Sequence, residues 1–126
     1  MAAGTYRPTD GTDRTISFQM VYEVAIYGGF DPTLGDIAWE DRDWVNHVTI
    51  LSGDLNGDDG SDFANNDENS YHVFYHPGTI PLDSSAILDG FTITGGNADG
   101  GSLPHYAGGG MLNGRSSPTL SHCSFE

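Results

Sequence analysis

The sequence predicts an all-β fold of stacked coils, a solenoid of short strands, and three observations carry that reading. Residues 86–97, A-I-L-D-G-F-T-I-T-G-G-N, set apolar Ile87, Leu88, Phe91 and Ile93 around a break at Asp89-Gly90 and end in a glycine turn. Residues 118–126, P-T-L-S-H-C-S-F-E, repeat the pattern: Leu120, Cys123 and Phe125 stand 32 residues after Leu88, Phe91 and Ile93. Ile50-Leu51-Ser52-Gly53 lines up with Ile26-Tyr27-Gly28-Gly29 at an offset of 24 residues, close to the length of one solenoid coil. A strand–bend–strand unit this short closes no core by itself, so its copies bury their apolar faces on one another.

The elements follow in order. Residues 5–14 are turn-rich. Residues 15–20, T-I-S-F-Q-M, alternate Ile16, Phe18 and Met20 on one face, the period of a half-buried strand. Residues 21–30 continue as a strand closed by Gly28-Gly29. Residues 31–47 open on Asp31-Pro32, a turn signal, and read as a loop with one helical turn. Its Trp39 and Trp44 are expected either to fold back over the open end of the core or to join a sugar-stacking aromatic face. Residues 48–54 form the next strand, and residues 55–70 a long polar loop with only Leu55, Phe63 and Ala64 apolar. Residues 71–75 are strand-like and stop at His76-Pro77-Gly78. A glycine-rich loop over 98–107 leads to a short strand at 111–113 and then to the last unit. Glycines 28–29, 53, 95–96 and 108–110 are expected to supply positive φ at corners, where a β-carbon would resist it. Asn97 and Asn113 are expected to bond along the stack. One domain spans 1–126, and the strand-like residues directly before Glu126 suggest a piece cut from a longer protein.

Charge narrows the function classes. The 126 residues carry 18 acids against four bases, Arg7, Arg14, Arg42 and Arg115, for a net charge of −14 and no lysine. Nothing here neutralises a phosphate backbone, so nucleic acid and anionic membrane surfaces are excluded as expected partners. Aspartates dominate the acids, which favours turns, where a short carboxylate bonds nearby N–H groups. A single cysteine, Cys123, rules out an internal disulfide framework. No apolar run reaches bilayer length, and residues 1–8 lack the basic and apolar regions of a signal peptide.

Several phrases resemble the text of a known family, the parallel β-helix proteins of bacterial cell surfaces. They are A-A-G-T-Y-R-P at 2–8, Y-G-G-F at 27–30, R-D-W at 42–44, T-I-L-S-G-D at 49–54, the 86–97 unit, G-G-G-M-L-N at 108–113 and S-P-T-L-S-H-C-S-F at 117–125. The resemblance implies a right-handed parallel β-helix, truncated to a few N-terminal coils with long loops. It also implies a parent that is exported and displayed at the cell surface or outside the cell. It carries over no catalytic residue, since the shared residues are glycines, core apolars and turn formers, and the fold hosts adhesins, lyases, hydrolases and stalks alike.

Four constellations bear on chemistry. Asp54, Asn56, Asp58 and Asp62 offer four hard oxygens within nine residues of a loop and are expected to hold calcium. The run is not an EF-hand, because its sixth position is Asp59 and its twelfth Asn65; the alternative is a solvated turn. Paired acids for glycoside chemistry, Asp41 with Asp43 or Asp83 with Asp89, are weighed against chance pairing in so acidic a chain. Histidines 47, 72, 76, 105 and 122 would make a zinc site only if three converged. Tyr22, Tyr27, Trp39, Trp44, Tyr71, Tyr75 and Tyr106 supply aromatic area for sugar stacking. The combined expectation is a structural or adhesive module binding carbohydrate or a cell-surface partner, ordered by calcium and self-associating through exposed coil ends. A fragment of a polysaccharide lyase or glycoside hydrolase is the alternative.

Overall fold

A computed structural model describes residues 1–35 and 38–126; positions 36 and 37 of the expected 31–47 loop lie outside the described residues. Short strands carry the architecture: β1 Gly4–Tyr6, β2 Ala25–Tyr27, β3 Thr49–Ser52, β4 Phe74–His76, β5 Ile87–Asp89, β6 Thr92–Thr94, β7 Met111–Asn113, β8 Thr119–Ser121 and β9 Ser124–Phe125. They pair in three sheets, ordered β1-β3-β6-β9, β2-β5-β8 and β4-β7. Every one of these pairings is parallel.

The expected right-handed parallel β-helix is corrected by this arrangement. The strands lie in three separate short sheets of four, three and two members, and no closed solenoid is seen among the described residues. The physical reason is that the steps between paired strands are too uneven for a repeating coil. They run 45 residues from Gly4 to Thr49, 42 from Ile50 to Thr92 and 32 from Thr92 to Ser124, but 62 from Ala25 to Ile87. The 24-residue offset fails with it. Ile26 pairs with Leu88 in one sheet, while Ile50 pairs with Thr5 and Thr92 in another. The 32-residue offset is a true register, with Leu88 opposite Leu120 and Ile93 opposite Phe125.

Within the sheets the period of two does its expected work. β5 and β6 each turn their central residue inward, and Leu88 and Ile93 are buried between half-exposed neighbours. Gly90, at φ +82, makes the bend that separates them. Phe91 follows that bend into the core, which gathers Leu51, Val73, Phe74, Leu82, Ala86 and Met20 around the same pair. Residues 15–20, expected as a strand, give only an isolated bridge from Phe18 to Phe74, whose rings lie 5.7 Å apart. The 31–47 loop holds two short 3-10 turns, Pro32–Leu34 and Trp39–Asp41, and the 55–70 loop a third, Ser61–Phe63. No helix among the described residues is long and apolar enough to cross a membrane.

Where the turns of chain meet, backbone touches backbone. A β-carbon on Gly96 would lie 2.0 Å from the Gly109 carbonyl oxygen, and one on Gly53 2.4 Å from that of Gly95. Close approach, rather than positive φ, is what requires glycine at 28, 53, 96, 109 and 110.

Burial sets the energetic order of the two repeated leucines. Leu88 is fully buried and Leu120 is 40% exposed. Leu88→Ala should therefore cost about 2–5 kcal/mol, and Leu120→Ala less than about 1 kcal/mol, in denaturant unfolding. Equal losses would contradict this packing.

Candidate functional site

The most elaborated site is built around Arg42. The 3-10 turn Trp39–Asp41 delivers it, closed by Asp41, whose carboxylate accepts from the Ala38 N–H at 3.0 Å. The Asp43 N–H then donates to the Gly29 carbonyl at 2.7 Å, pinning the loop to the end of β2. Trp44 rests on Gly29, where a β-carbon would come within 2.8 Å of its backbone. Held at both ends, the Arg42 side chain is 4% exposed. Its Nε donates to the Gly28 carbonyl at 2.6 Å, and its guanidinium pairs with Asp89 at the end of β5. The rings of Tyr27, Trp39 and Trp44 surround the cation, with centroids 5.3, 5.3 and 4.8 Å away.

Asp89 also meets His122, with Nδ1 3.0 Å from the same carboxylate oxygen. The His122 ring lies 4.1 Å from that of Trp44. Burial raises the Asp89 pKa, but hydrogen bonds and charge from Arg42 and His122 outweigh it and hold the carboxyl below its ordinary value. Asp89 is thus an anion at neutral pH that orients both partners. Around them opens a cleft of about 330 Å³ lined by Trp39, Glu40, Arg42, Trp44, Asp89 and His122. A second cleft of about 290 Å³ shares Trp44 and His122 and runs along Thr49, Phe91 and Cys123. Trp39 stands 55% exposed at the rim. Such a surface presents an apolar ring face beside fixed donors and acceptors, the requirement for seating a polar ligand with an apolar face.

The other acids weighed for glycoside chemistry are turn builders. Asp43 accepts from the Val45 and Asn46 N–H groups and from the Asn46 side chain, which lowers its pKa. Asp83 is held the same way by Ser85, and Asp41 closes its own turn. Asp89 is engaged by Arg42 and His122, and Asp41, Asp43 and Asp83 are not among the residues that line its cleft.

In the polar loop, Asp54, Asp58 and Glu68 bring one oxygen each to within 4.8 Å of one another, a group able to hold a cation. Asp54 also accepts from the N–H groups of Gly57, Asp58 and Asp59, so the loop is wound about that carboxylate. Of the expected oxygens, Asp54 and Asp58 converge. The Asn56 N–H donates to Glu68, and Asp62 lines a separate cleft with Asp59, Asn66 and Asn69. Glu68 was not signalled by spacing, because only the return of the loop brings it back. Among the histidines, His76 is structural: Nδ1 meets Asn113 at 2.7 Å along the β4–β7 register, and Nε2 accepts from the Met20 N–H at 2.9 Å.

No family model, curated protein or solved structure matches the chain. The site therefore has to speak through its own geometry.

Removing the Asp89 charge leaves the Arg42 guanidinium buried and unmatched, so Asp89→Asn should cost about 3 kcal/mol at neutral pH. Because the folded pKa is depressed, this stabilisation is present above the ordinary carboxylate value of about 3.9 and is lost as pH falls through the folded value. The gap between wild type and variant in denaturant unfolding should narrow below that point. A gap that stays constant into strong acid would contradict the role given to Asp89.

Proposed function

We propose that the chain is a non-enzymatic carbohydrate-binding module, adhesive or structural, of an exported surface protein. The observation that carries this reading is the exposed Trp39 indole at the rim of a cleft whose polar groups are fixed by Arg42 and Asp89. A pyranose stacks its apolar face on an indole, and Glu40 and His122 border the same cleft for its hydroxyls. The Arg42 charge is already matched by Asp89, and the net charge is −14. Neutral sugars, rather than uronates, are the ligands this supports. An enzyme would need a second acid poised across the sugar. Asp89 is committed to two partners, and Glu40 lies exposed at the rim, which favours binding over turnover. The phrases resembling bacterial surface proteins support the exported setting.

Neutral polysaccharides should quench the intrinsic tryptophan fluorescence, and Trp39→Ala should weaken their binding by about tenfold. Acidic polysaccharides should bind less well. Turnover of any of them, abolished by Asp89→Asn or Glu40→Gln, would overturn the reading in favour of a lyase or hydrolase.

Calcium is the second part of the proposal, supported by the three converging carboxylates and held separately from the cleft. Millimolar calcium should raise the melting temperature of the wild type and leave Asp58→Asn unmoved. No shift in the wild type would sink the metal half of the proposal while leaving the sugar site standing.

A further inference from the structure

A separate cleft of about 430 Å³ opens between the 55–70 loop and the chain that follows β6. Asp59, Asp62 and Glu126 line it, together with Phe63, Asn66 and Asn69. It shares no residue with the cleft around Arg42, so it stands independently of the sugar site at Trp39. Asn69 is its buried wall, 1% exposed. The backbone there is anchored: the Asn69 carbonyl accepts from Arg14 Nε at 2.5 Å, and the Ser70 N–H donates to the Gly53 carbonyl at 2.8 Å. The Asn69 side chain donates from Nδ2 to Asp59 at 2.7 Å. A carboxylate only accepts, so the amide nitrogen is committed to Asp59 and Oδ1 remains as an acceptor. That oxygen is buried and meets no hydrogen-bond partner. The three carboxylates also lack a cation. No arginine lines the cleft, and none of the three joins an ion pair among the described residues.

Acceptors without donors call for a ligand that donates. A divalent ion does not fit. Among the described residues only Asp54, Asp58 and Glu68 bring three ligand atoms within 4.8 Å of one another, so the acids of this cleft stand too far apart to share one small ion. An organic ammonium makes no such demand, because its N–H groups bond separate acceptors and its charge is met by the carboxylates around it. Phe63, 85% exposed, offers a ring face on which a cation rests. Apart from that ring the lining is carboxylates, amides, Thr94 and glycine backbone. Such a wall suits a ligand with hydroxyls around its charge rather than one with a long apolar stem. We propose that this cleft binds an amino sugar through its free ammonium group. Asn69 Oδ1 is among the acceptors, Asp59, Asp62 and Glu126 meet the charge, and Phe63 packs against the sugar ring.

The test follows the Asn69 side-chain amide in nitrogen-15 spectra, a readout confined to this cleft. The probe is a glucosamine trisaccharide at about pH 6, where carboxylates are ionised and amines protonated. Millimolar calcium is present to occupy the carboxylates around Asp54. The Asn69 signals should move and saturate. The N-acetylated trisaccharide, which keeps its hydroxyls and loses the charge, should leave them in place. Asp62→Asn should lower the affinity about tenfold. Asn tolerates the left-handed backbone that Asp62 holds at φ 57, so the fold is spared. Glu23→Gln, which removes the same charge outside the cleft, and Trp39→Ala should leave the titration unchanged.

No movement at Asn69 would overturn the proposal, and so would equal movement with the N-acetylated sugar. Equal losses in Asp62→Asn and Glu23→Gln would reduce the binding to general attraction by the −14 charge and overturn it too. Loss in Trp39→Ala would give the sugar to the other cleft. Saturation by a trilysine peptide at lower concentration would assign the cleft to a basic protein segment instead of a sugar.

Discussion

Parallel stacking of like on like is the constraint that the rest of this molecule depends on. Strands of two to four residues are too short to hold a register alone, so each borrows it from the next. Leu88 sits between Ile26 and Leu120, and Ile93 between Leu51 and Phe125. Those ladders bury Leu88 and Ile93 almost completely and fix where every loop begins and ends. The three sheets hold four, three and two strands, yet the inner apolar contacts remain continuous.

Arg42 ties the 31–47 loop to that stack. Its side chain reaches a carbonyl of the chain leaving β2 and a carboxylate at the end of β5, two turns of chain already paired as neighbouring strands. A buried cation among three aromatic rings is costly unless matched, and Asp89 matches it. The geometry of the Trp39 cleft is therefore inherited from the pairing of β2 with β5. Disturbing that pairing disturbs the site without touching a residue that lines it.

What was legible in the sequence follows from distance along the chain. The Leu88–Leu120 repeat could be read because both copies carry a whole unit, strand, bend and strand. The Ile26–Ile50 repeat misled because an apolar pair followed by glycine marks the end of a strand in any sheet, not one position in a coil. β1 escaped notice as three residues in polar, turn-like text. The polar loop was readable from composition, but Glu68 was not, since its place depends on how the loop returns. Arg42 and His122 were illegible as partners of Asp89 for the same reason: they come to it from 47 and 33 residues away. The tryptophans, expected as a lid on the core or as a stacking face, line the clefts around Arg42.

The glycine contacts have a consequence for how such a chain can vary. Gly53 against Gly95 and Gly96 against Gly109 leave no room for a side chain, so these junctions are frozen in both residue type and spacing. The segments between them are under no such restraint, and the entropy of closing a loop grows only slowly with its length. Length and chemistry can drift freely in 55–70 and 98–107 while the junctions stay put. The molecule thus resembles a rack with fixed slots, on which new recognition surfaces can be tried one loop at a time without renegotiating the frame.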